Sequence, residues 1–241
     1  MNMKSLADEI ALAKSEFEII PADTNVLRHE AYRLRYQVYC VENDFLGGIS
    51  GLEMDEYDAH AQHMILCHRQ SGKIVGTVRL VLPRPDRPEA SFPMLRFCDR
   101  SFTKELCLMH CGEGSRFAIS RHRLSATRST LHVLRLWLIQ GVVRMSIEAG
   151  HSHILAILDP RLLRLFRMNG INFRGLGPLV DYHGLRQPAF IETTTMFEEV
   201  RSTHPEIWDV MTDGGRYTET LTTRLGTVVA KPAPRLSEAL S

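Results

Sequence analysis

Two short segments hold most of the side chains that can move protons or carry charge in a pattern. Glu53-Met54-Asp55-Glu56-Tyr57-Asp58 places four carboxylates within six residues. Taken alone it reads as a solvated loop; as a site, Asp55 and Asp58 would hold an ammonium group or pair with arginines. The second segment is Glu113-Gly-Ser-Arg116-Phe117-Ala118-Ile119-Ser120. Strand alternation would send Glu113 and Arg116 to opposite faces, unless Gly112 or Gly114 permits a bulge that re-aims one of them. Taken alone, this segment reads as an ordinary strand. Arg161, Arg164 and Arg167 recur every three residues, and with Arg121, Arg123 and Arg128 they form either a basic docking surface or a solvated helix face. Cys107-Leu-Met-His110-Cys111 invites a metal, but zinc needs four ligands and no second half follows, so no metal is expected.

The elements that must position these groups follow from periodicity. Apolar spacing predicts a helix over 3–16 and a strand over Phe17–Pro21. Leu27, Ala31, Leu34 and Val38 extend a second helix over Asn25–Val41, before a glycine-rich loop at 47–51. Gln62–His68 and Ile74–Leu82 are strands joined by a Gln70-Ser-Gly-Lys73 turn, and Pro83–Arg87 is a loop. A strand over Ser115–Ser120 leads to a long, largely buried helix over Ser129–Ala149, capped by Gly150. Ile154–Leu158 reads as a buried strand, and a helix over Arg161–Met168 starts after Asp159-Pro160. Extended pieces near Phe173–Leu179 and Ala189–Phe197 follow, with Asp181-Tyr-His183-Gly184 as a turn between strands. The expected class is α/β (α+β): a mixed, mostly antiparallel sheet flanked by helices. The expected organisation is an N-terminal helix (1–16), one domain (17–222) and a loosely ordered tail (223–241).

With 44% hydrophobic residues and a net charge of +1, the chain carries a substantial core and no bulk attraction for nucleic acid. Acidic residues interrupt the N-terminal apolar run, so neither a signal peptide nor a transmembrane segment is expected. Five cysteines without paired spacing point to reduced thiols and a cytoplasmic setting.

Together the ordered phrases Arg35-Tyr-Gln-Val-Tyr39, Phe45, Glu53-Met-Asp55-Glu-Tyr-Asp58, Gly76-Thr-Val-Arg79-Leu and Glu113-Gly-Ser-Arg116 resemble the autoinducer synthases. Those enzymes make acyl-homoserine lactones on the Gcn5-related N-acetyltransferase (GNAT) fold. The closer look, carried by Tyr32–Asn43 and Asp181–Pro188, is to the N-acyl amino acid synthases and the acyltransferases associated with PEP-CTERM–exosortase systems. Tyr39 and Phe45 stand where the lactone-forming enzymes usually carry phenylalanine and tryptophan, which counts against adenosylmethionine as acceptor.

The resemblance implies an N-acyltransferase that moves a long-chain fatty acyl group from a thioester to an amine. Glu113 is then the base and Arg116 its catalytic partner. Arg35, Tyr39, Phe45, Asp55, Asp58, Arg79 and His183 are expected around the acceptor. Backbone of Phe117, Ala118, Ile119 and Ser120 is expected to meet the oxyanion and the pantetheine arm. Coenzyme A enzymes of this fold bind the pyrophosphate on a glycine-rich loop before the long helix, and Arg121–Ser129 contains no glycine. Acyl carrier protein, with its 4'-phosphopantetheine thioester, is therefore the expected donor and partner, with acyl-CoA as the alternative and no tightly bound cofactor. Arg161, Arg164 and Arg167 are its expected docking surface. Met145, Leu155, Ile157, Leu162 and Phe166 are either acyl-pocket lining or plain core. A lactone synthase using S-adenosylmethionine and a non-catalytic acyl-binding module are the competing readings.

Overall fold

The computed structural model describes residues 6–47, 49–124, 126–220 and 223. The leading helix is α1 (Leu6–Glu16), and it runs directly into strand β1 (Phe17–Pro21). Thr24 caps helix α2 (Asn25–Tyr36) by accepting the Leu27 N–H at 3.2 Å. Strands β2 (Ala61–His68) and β3 (Ile74–Val81) form the expected hairpin, followed by β4 (Cys111–Ile119). Helix α3 (Arg128–Glu148), strand β5 (His153–Leu158) and helix α4 (Pro160–Met168) come next. Asp159 caps α4 through the Arg161 N–H at 2.8 Å, with Pro160 at its first position. Short strands β6 (Arg174–Gly175) and β7 (Val180–Asp181) precede β8 (Leu185–Glu192) and helices α5 (Thr193–Thr203) and α6 (Pro205–Thr212).

The sheet order is β1–β2–β3–β4–β5–β8–β6, with β7 paired to β8 off that path. Every pairing is antiparallel except β4 with β5, which run parallel and share register only over Cys111–Glu113. Beyond Glu113 these two central strands part, which opens the middle of the sheet. Val78, Leu80, Ile154 and Ala156 join the main core, to which α3, α5 and α6 contribute Leu134, Leu138, Phe197 and Val210. On the opposite face α2 packs Ala31 and Leu34 against Ile65 and Ala118.

Several boundaries differ from the sequence reading. The second helix stops at Tyr36, and Gln37–Glu42 continues as a π turn, which keeps a near-helical apolar spacing while widening the coil. Strand β4 begins four residues earlier than its predicted start at Ser115, because Gly112 and Gly114 lie inside it rather than ending it. A Cβ on Gly112 would sit 2.7 Å from His151 Nδ1 and 2.9 Å from Leu80 Cδ1, so the glycine marks close packing. The extended reading of Ala189–Phe197 breaks at Glu192: the threonines at 193–195 start helix α5, whose Met196, Phe197 and Val200 are buried. Tertiary burial there overrides the β-propensity of threonine. The span Phe173–Leu179 contains only the two-residue β6. The tail expected at 223–241 lies, beyond Thr223, outside the described residues. Among the described residues, no helix is long and apolar enough to cross a membrane.

Helix α3 meets the sheet closely at Gly141, where a Cβ would lie 2.8 Å from Ile19 Cδ1 and 3.2 Å from Met64 Cβ. Gly141→Val is expected to destabilise the protein by about 1–3 kcal/mol through overpacking, despite better helix propensity. Urea denaturation of the two proteins measures the difference; equal midpoints would refute the close approach.

Candidate active site

The acidic segment folds as a 3-10 turn over Glu56–His60, and the three-residue spacing of Asp55 and Asp58 makes a capping box. The Asp55 N–H donates to Asp58 Oδ2 at 2.8 Å, and the Tyr57 N–H donates to Asp55 Oδ1 at 3.0 Å. With the turn fixed, its acids meet three arginines from three different elements. Arg35 from α2 donates to Asp58 from both terminal nitrogens, at 2.7 and 3.0 Å, and its Nε binds Glu53. Arg79 from β3 donates to Asp55 at 2.6 Å, to Asp58 at 2.9 Å and to Ser115 Oγ at 3.0 Å. Arg116 from β4 donates to Glu53 at 3.0 and 3.2 Å and to Asp55 at 2.8 Å.

Arg35 and Arg79 are fully buried. Burial opposes ionisation of Glu53, Asp55 and Asp58, but the arginines outweigh it and hold all three carboxyls below their ordinary range. His63 lies beside this network, 3.6 Å from Asp58, and burial together with the Arg35 charge pushes its pKa down to about 4.

Arg116 reaches the network because β4 bulges. Thr77 pairs with Ala118 and Arg79 with Ser115, so Arg116 and Phe117 together oppose Val78. The residue that takes the left-handed conformation is Arg116 itself, at φ +53°, rather than either flanking glycine. The bulge puts Ser115 and Arg116 on the same side of the sheet as Glu113. Glu113 is nevertheless separate from Arg116: its carboxylate accepts the Met94 N–H at 2.9 Å. Burial raises its pKa to about 7, with the Met94 amide and nearby arginines opposing only part of the rise.

Glu113 lies on a cleft of ≈ 430 Å³ that enters the sheet where β4 and β5 part. Its outer rim carries Tyr39, Asn43, Phe45, Arg121, Arg161, Tyr182, His183 and Arg186. Its inner end is apolar, walled by Ile139, Val142, Val143, Ala156, Leu162, Phe166, Ile171 and Met196. The Tyr39 hydroxyl donates to the Phe117 carbonyl at 3.3 Å, tying the π turn to the bulge.

Of the residues singled out in the sequence, Tyr39, Phe45, Glu113, Arg116, Phe117, Arg161 and His183 line this cleft. Arg35, Asp55, Asp58 and Arg79 do not line it and are engaged in the ion network, the second of the two roles open to the acids. Ala118, Ile119 and Ser120 are also off the cleft wall, and the Ser120 N–H donates to the Val75 carbonyl at 2.9 Å. Arg164 and Arg167 are exposed on α4 away from the cleft. Ile157, Leu162 and Phe166 line the cavity, whereas Met145 is core and Leu155 packs on the other sheet face with Val81 and Cys111. His183 and Gly184 both take left-handed conformations in the turn before β8.

Sequence reading gave no role to Glu53, which bridges Arg35 and Arg116, or to Met94 and Arg186. Met94 is placed by a 3-10 turn that starts at Pro93, a signal present in the sequence. Among the described residues, no group of three or more His, Cys, Asp or Glu side chains could hold a metal ion.

The fold defined by this splayed sheet and its cleft is that of the GNAT proteins, and residues 34–133 match the family model for the acetyltransferase (GNAT) domain. In sequence the chain is similar to an acyl-homoserine-lactone synthase, and in fold to solved synthases of that kind. It is 30% identical over 136 residues to an acyl-homoserine-lactone synthase of Agrobacterium fabrum, a match spanning 54% of this chain and 60% of that relative's length. The CoA-dependent acyl-homoserine lactone synthase BjaI, solved with SAM and isopentyl-CoA, superposes with a TM-score of 0.55 at 21% identity, covering 84% of this chain and 89% of that one. FeeM, an N-acyl amino acid synthase from uncultured soil microbes, gives a TM-score of 0.55 at 15% identity, over 76% of this chain and 93% of its own. Both structures establish likeness of fold.

Removing one member of the buried ion network should be costly. Arg35→Ala strands Glu53 and Asp58, with an expected loss of about 3–5 kcal/mol in urea denaturation at neutral pH. A loss under about 1 kcal/mol would show that the network is dispensable. The pH dependence has two opposite parts. The depressed carboxyls stabilise the fold above the ordinary carboxylate range, and that contribution is lost as pH falls below about 4. Glu113 works the other way: its raised pKa destabilises the parent progressively between about pH 4.3 and 7. Glu113→Gln should therefore gain stability relative to the parent at pH 8, with the difference shrinking to nothing below about pH 4.

Proposed function

We propose that this chain is an N-acyltransferase that moves a long-chain fatty acyl group from an acyl carrier protein thioester to the amine of an amino acid or similar small molecule. The observation that carries this reading is one continuous cleft joining a buried, proton-accepting carboxylate to an apolar inner end. Direct attack needs no side-chain nucleophile. The amine nitrogen bonds to the thioester carbonyl carbon, the C–S bond breaks, and the carrier leaves as its thiol. Glu113 accepts the proton that the amine sheds, directly or through one water, and its pKa of about 7 suits that exchange near neutral pH. The same carboxyl can return the proton to the departing sulfur. Backbone N–H groups around the bulge, at Phe117 first, are assigned to the developing oxyanion.

Arg116 reaches the cleft with its charge already balanced by Glu53 and Asp55, so we assign it to orienting bound groups through hydrogen bonds. Arg35, Asp55, Asp58 and Arg79 are assigned to positioning: they hold Arg116 and the acidic turn. Tyr39, Phe45 and His183 form the wall that meets the acceptor. Among the described residues Arg186 donates to the carbonyls of Tyr182 and His183, at 2.6 and 3.3 Å, and is paired with no carboxylate, which leaves its charge for an acceptor carboxylate. The apolar end fits an acyl tail, each buried methylene contributing about 0.8 kcal/mol. Arg161, Arg164 and Arg167 are exposed and offer an acidic carrier a salt-sensitive landing face. Five free cysteines suit a reducing cytoplasm.

A second reading, a homoserine-lactone synthase using S-adenosylmethionine, draws support from the 30% identity to the Agrobacterium enzyme. Mass spectrometry of lipid extracts from bacteria expressing the chain separates the two. N-acyl amino acids that vanish with Glu113→Gln are the expected result. Acyl-homoserine lactones, with methylthioadenosine released, would select the second reading. No acylated amine from folded protein would overturn both in favour of a non-catalytic acyl-binding module.

With purified components, Glu113→Gln should lower kcat/KM by about 10²–10⁴-fold. It should also abolish an ascending limb of the pH profile centred near pH 7. A variant that keeps that limb would remove Glu113 as the base.

A further inference from the structure

Four backbone amides, from Ser120 to Arg123, follow the end of β4 and include that of Arg121, whose side chain stands on the cleft rim. Clustered N–H groups of this kind bind anions well. In this chain four consecutive amides are already engaged. Ser120 N–H donates to the Val75 carbonyl at 2.9 Å, and Arg123 N–H donates to Ser120 Oγ at 3.1 Å. Between them, Arg121 N–H donates to Glu42 Oε2 at 2.9 Å and His122 N–H reaches Glu42 Oε1 at 3.5 Å. The Ser120 hydroxyl adds a 2.5 Å hydrogen bond to the same carboxylate. Glu42 ends the π turn that also carries Tyr39, and Gln37 of that turn donates to His122 Nδ1 at 3.2 Å. The acid is thus seated by its own element, with the loop clasped around it.

We propose that Glu42 is a donor-specificity residue: its carboxylate occupies the anion seat at the end of β4 and disfavours free diphosphate donors. The inference rests on the acyltransferase reading above and deepens it. Burial would raise the Glu42 carboxyl, but the Ser120 hydroxyl and the Arg121 and His122 amides outweigh it and keep it ionised. A diphosphate approaching this loop meets a fixed negative charge and no free amide among residues 120–123. A donor tethered to a protein loses less, because its single phosphate can be met by the side chains of Arg121 and Arg161 while the protein supplies the rest of the contact. Selection here works by an introduced repulsion as much as by attraction.

Calorimetric titration of the full chain tests this without turnover, using dodecanoyl-pantetheine and dodecanoyl-CoA as probes. The parent should bind the two within about threefold of each other. Glu42→Gln should bind dodecanoyl-CoA at least about tenfold more tightly than the parent, through loss of a like charge. Its affinity for dodecanoyl-pantetheine should not change, which also reports that the cleft is intact. Glu30→Gln, which removes a partly exposed charge from α2 outside the cleft, should change neither affinity. A parent that binds the CoA thioester far more tightly than the pantetheine thioester would overturn the proposal whether or not the variant folds. So would an intact Glu42→Gln protein with parental CoA affinity. Binding of neither probe would overturn this proposal and the functional reading together. The expected discrimination in a chain that yields no acylated amine would sink the functional reading alone.

Discussion

Three guanidinium groups and three carboxylates, closed into one buried network, hold the two halves of the site in register. Arg35 comes from α2, Arg79 from β3 and Arg116 from β4, while Glu53, Asp55 and Asp58 come from the turn before β2. No two of these arginines share an element, so the network fixes α2 and the acidic turn against the sheet. Such pairs contribute little net stability over apolar packing, because desolvation offsets much of their attraction. Their effect is geometric: the position of any one charge dictates the positions of the others. The π turn, the bulge and the mouth of the cleft all take their places relative to this frame.

Two carboxylates on the same side of the sheet end up with opposite properties for this reason. Asp55 pairs with arginines and stays ionised, whereas burial of Glu113 outweighs the Met94 amide and the more distant arginines and raises it to about 7. The contrast sets a paired, ionised acid of the turn beside a buried, raised acid of β4. Splaying of β4 from β5 then determines what Glu113 can meet, because the gap leads from a polar rim to the inner core.

Much of this was legible in the residues. The order of arginines, aromatics and acids, the three-residue spacing of Asp55 and Asp58, and the long buried helix all carry local or periodic signals. Strand alternation raised a bulge between Glu113 and Arg116 as one of two outcomes. Other features left little trace. The residue that bends β4 is an arginine, which the search for a permissive glycine passes over. Gly112 and Gly114 read as breakers because their reason is tertiary: side chains there would collide with His151 and Leu80, or press on Val142. The π turn is invisible because it preserves a helix-like apolar repeat. Glu42 and the amides it accepts are 79 positions apart for Arg121, beyond any spacing rule.

Arg116 answers two incompatible demands at once. Its backbone sits at φ +53°, a conformation that costs a side-chain-bearing residue of order 1–3 kcal/mol and that glycine would adopt freely. Its guanidinium, meanwhile, closes the ion network on Glu53 and Asp55. Glycine would relieve the chain and abandon two buried acids; lysine would keep a charge but lose the planar fork that reaches both. Neither replacement satisfies both requirements, so this position tolerates little change. A lineage that abandoned the chemistry would find an easy gain in stability only by dismantling the acidic turn at the same time.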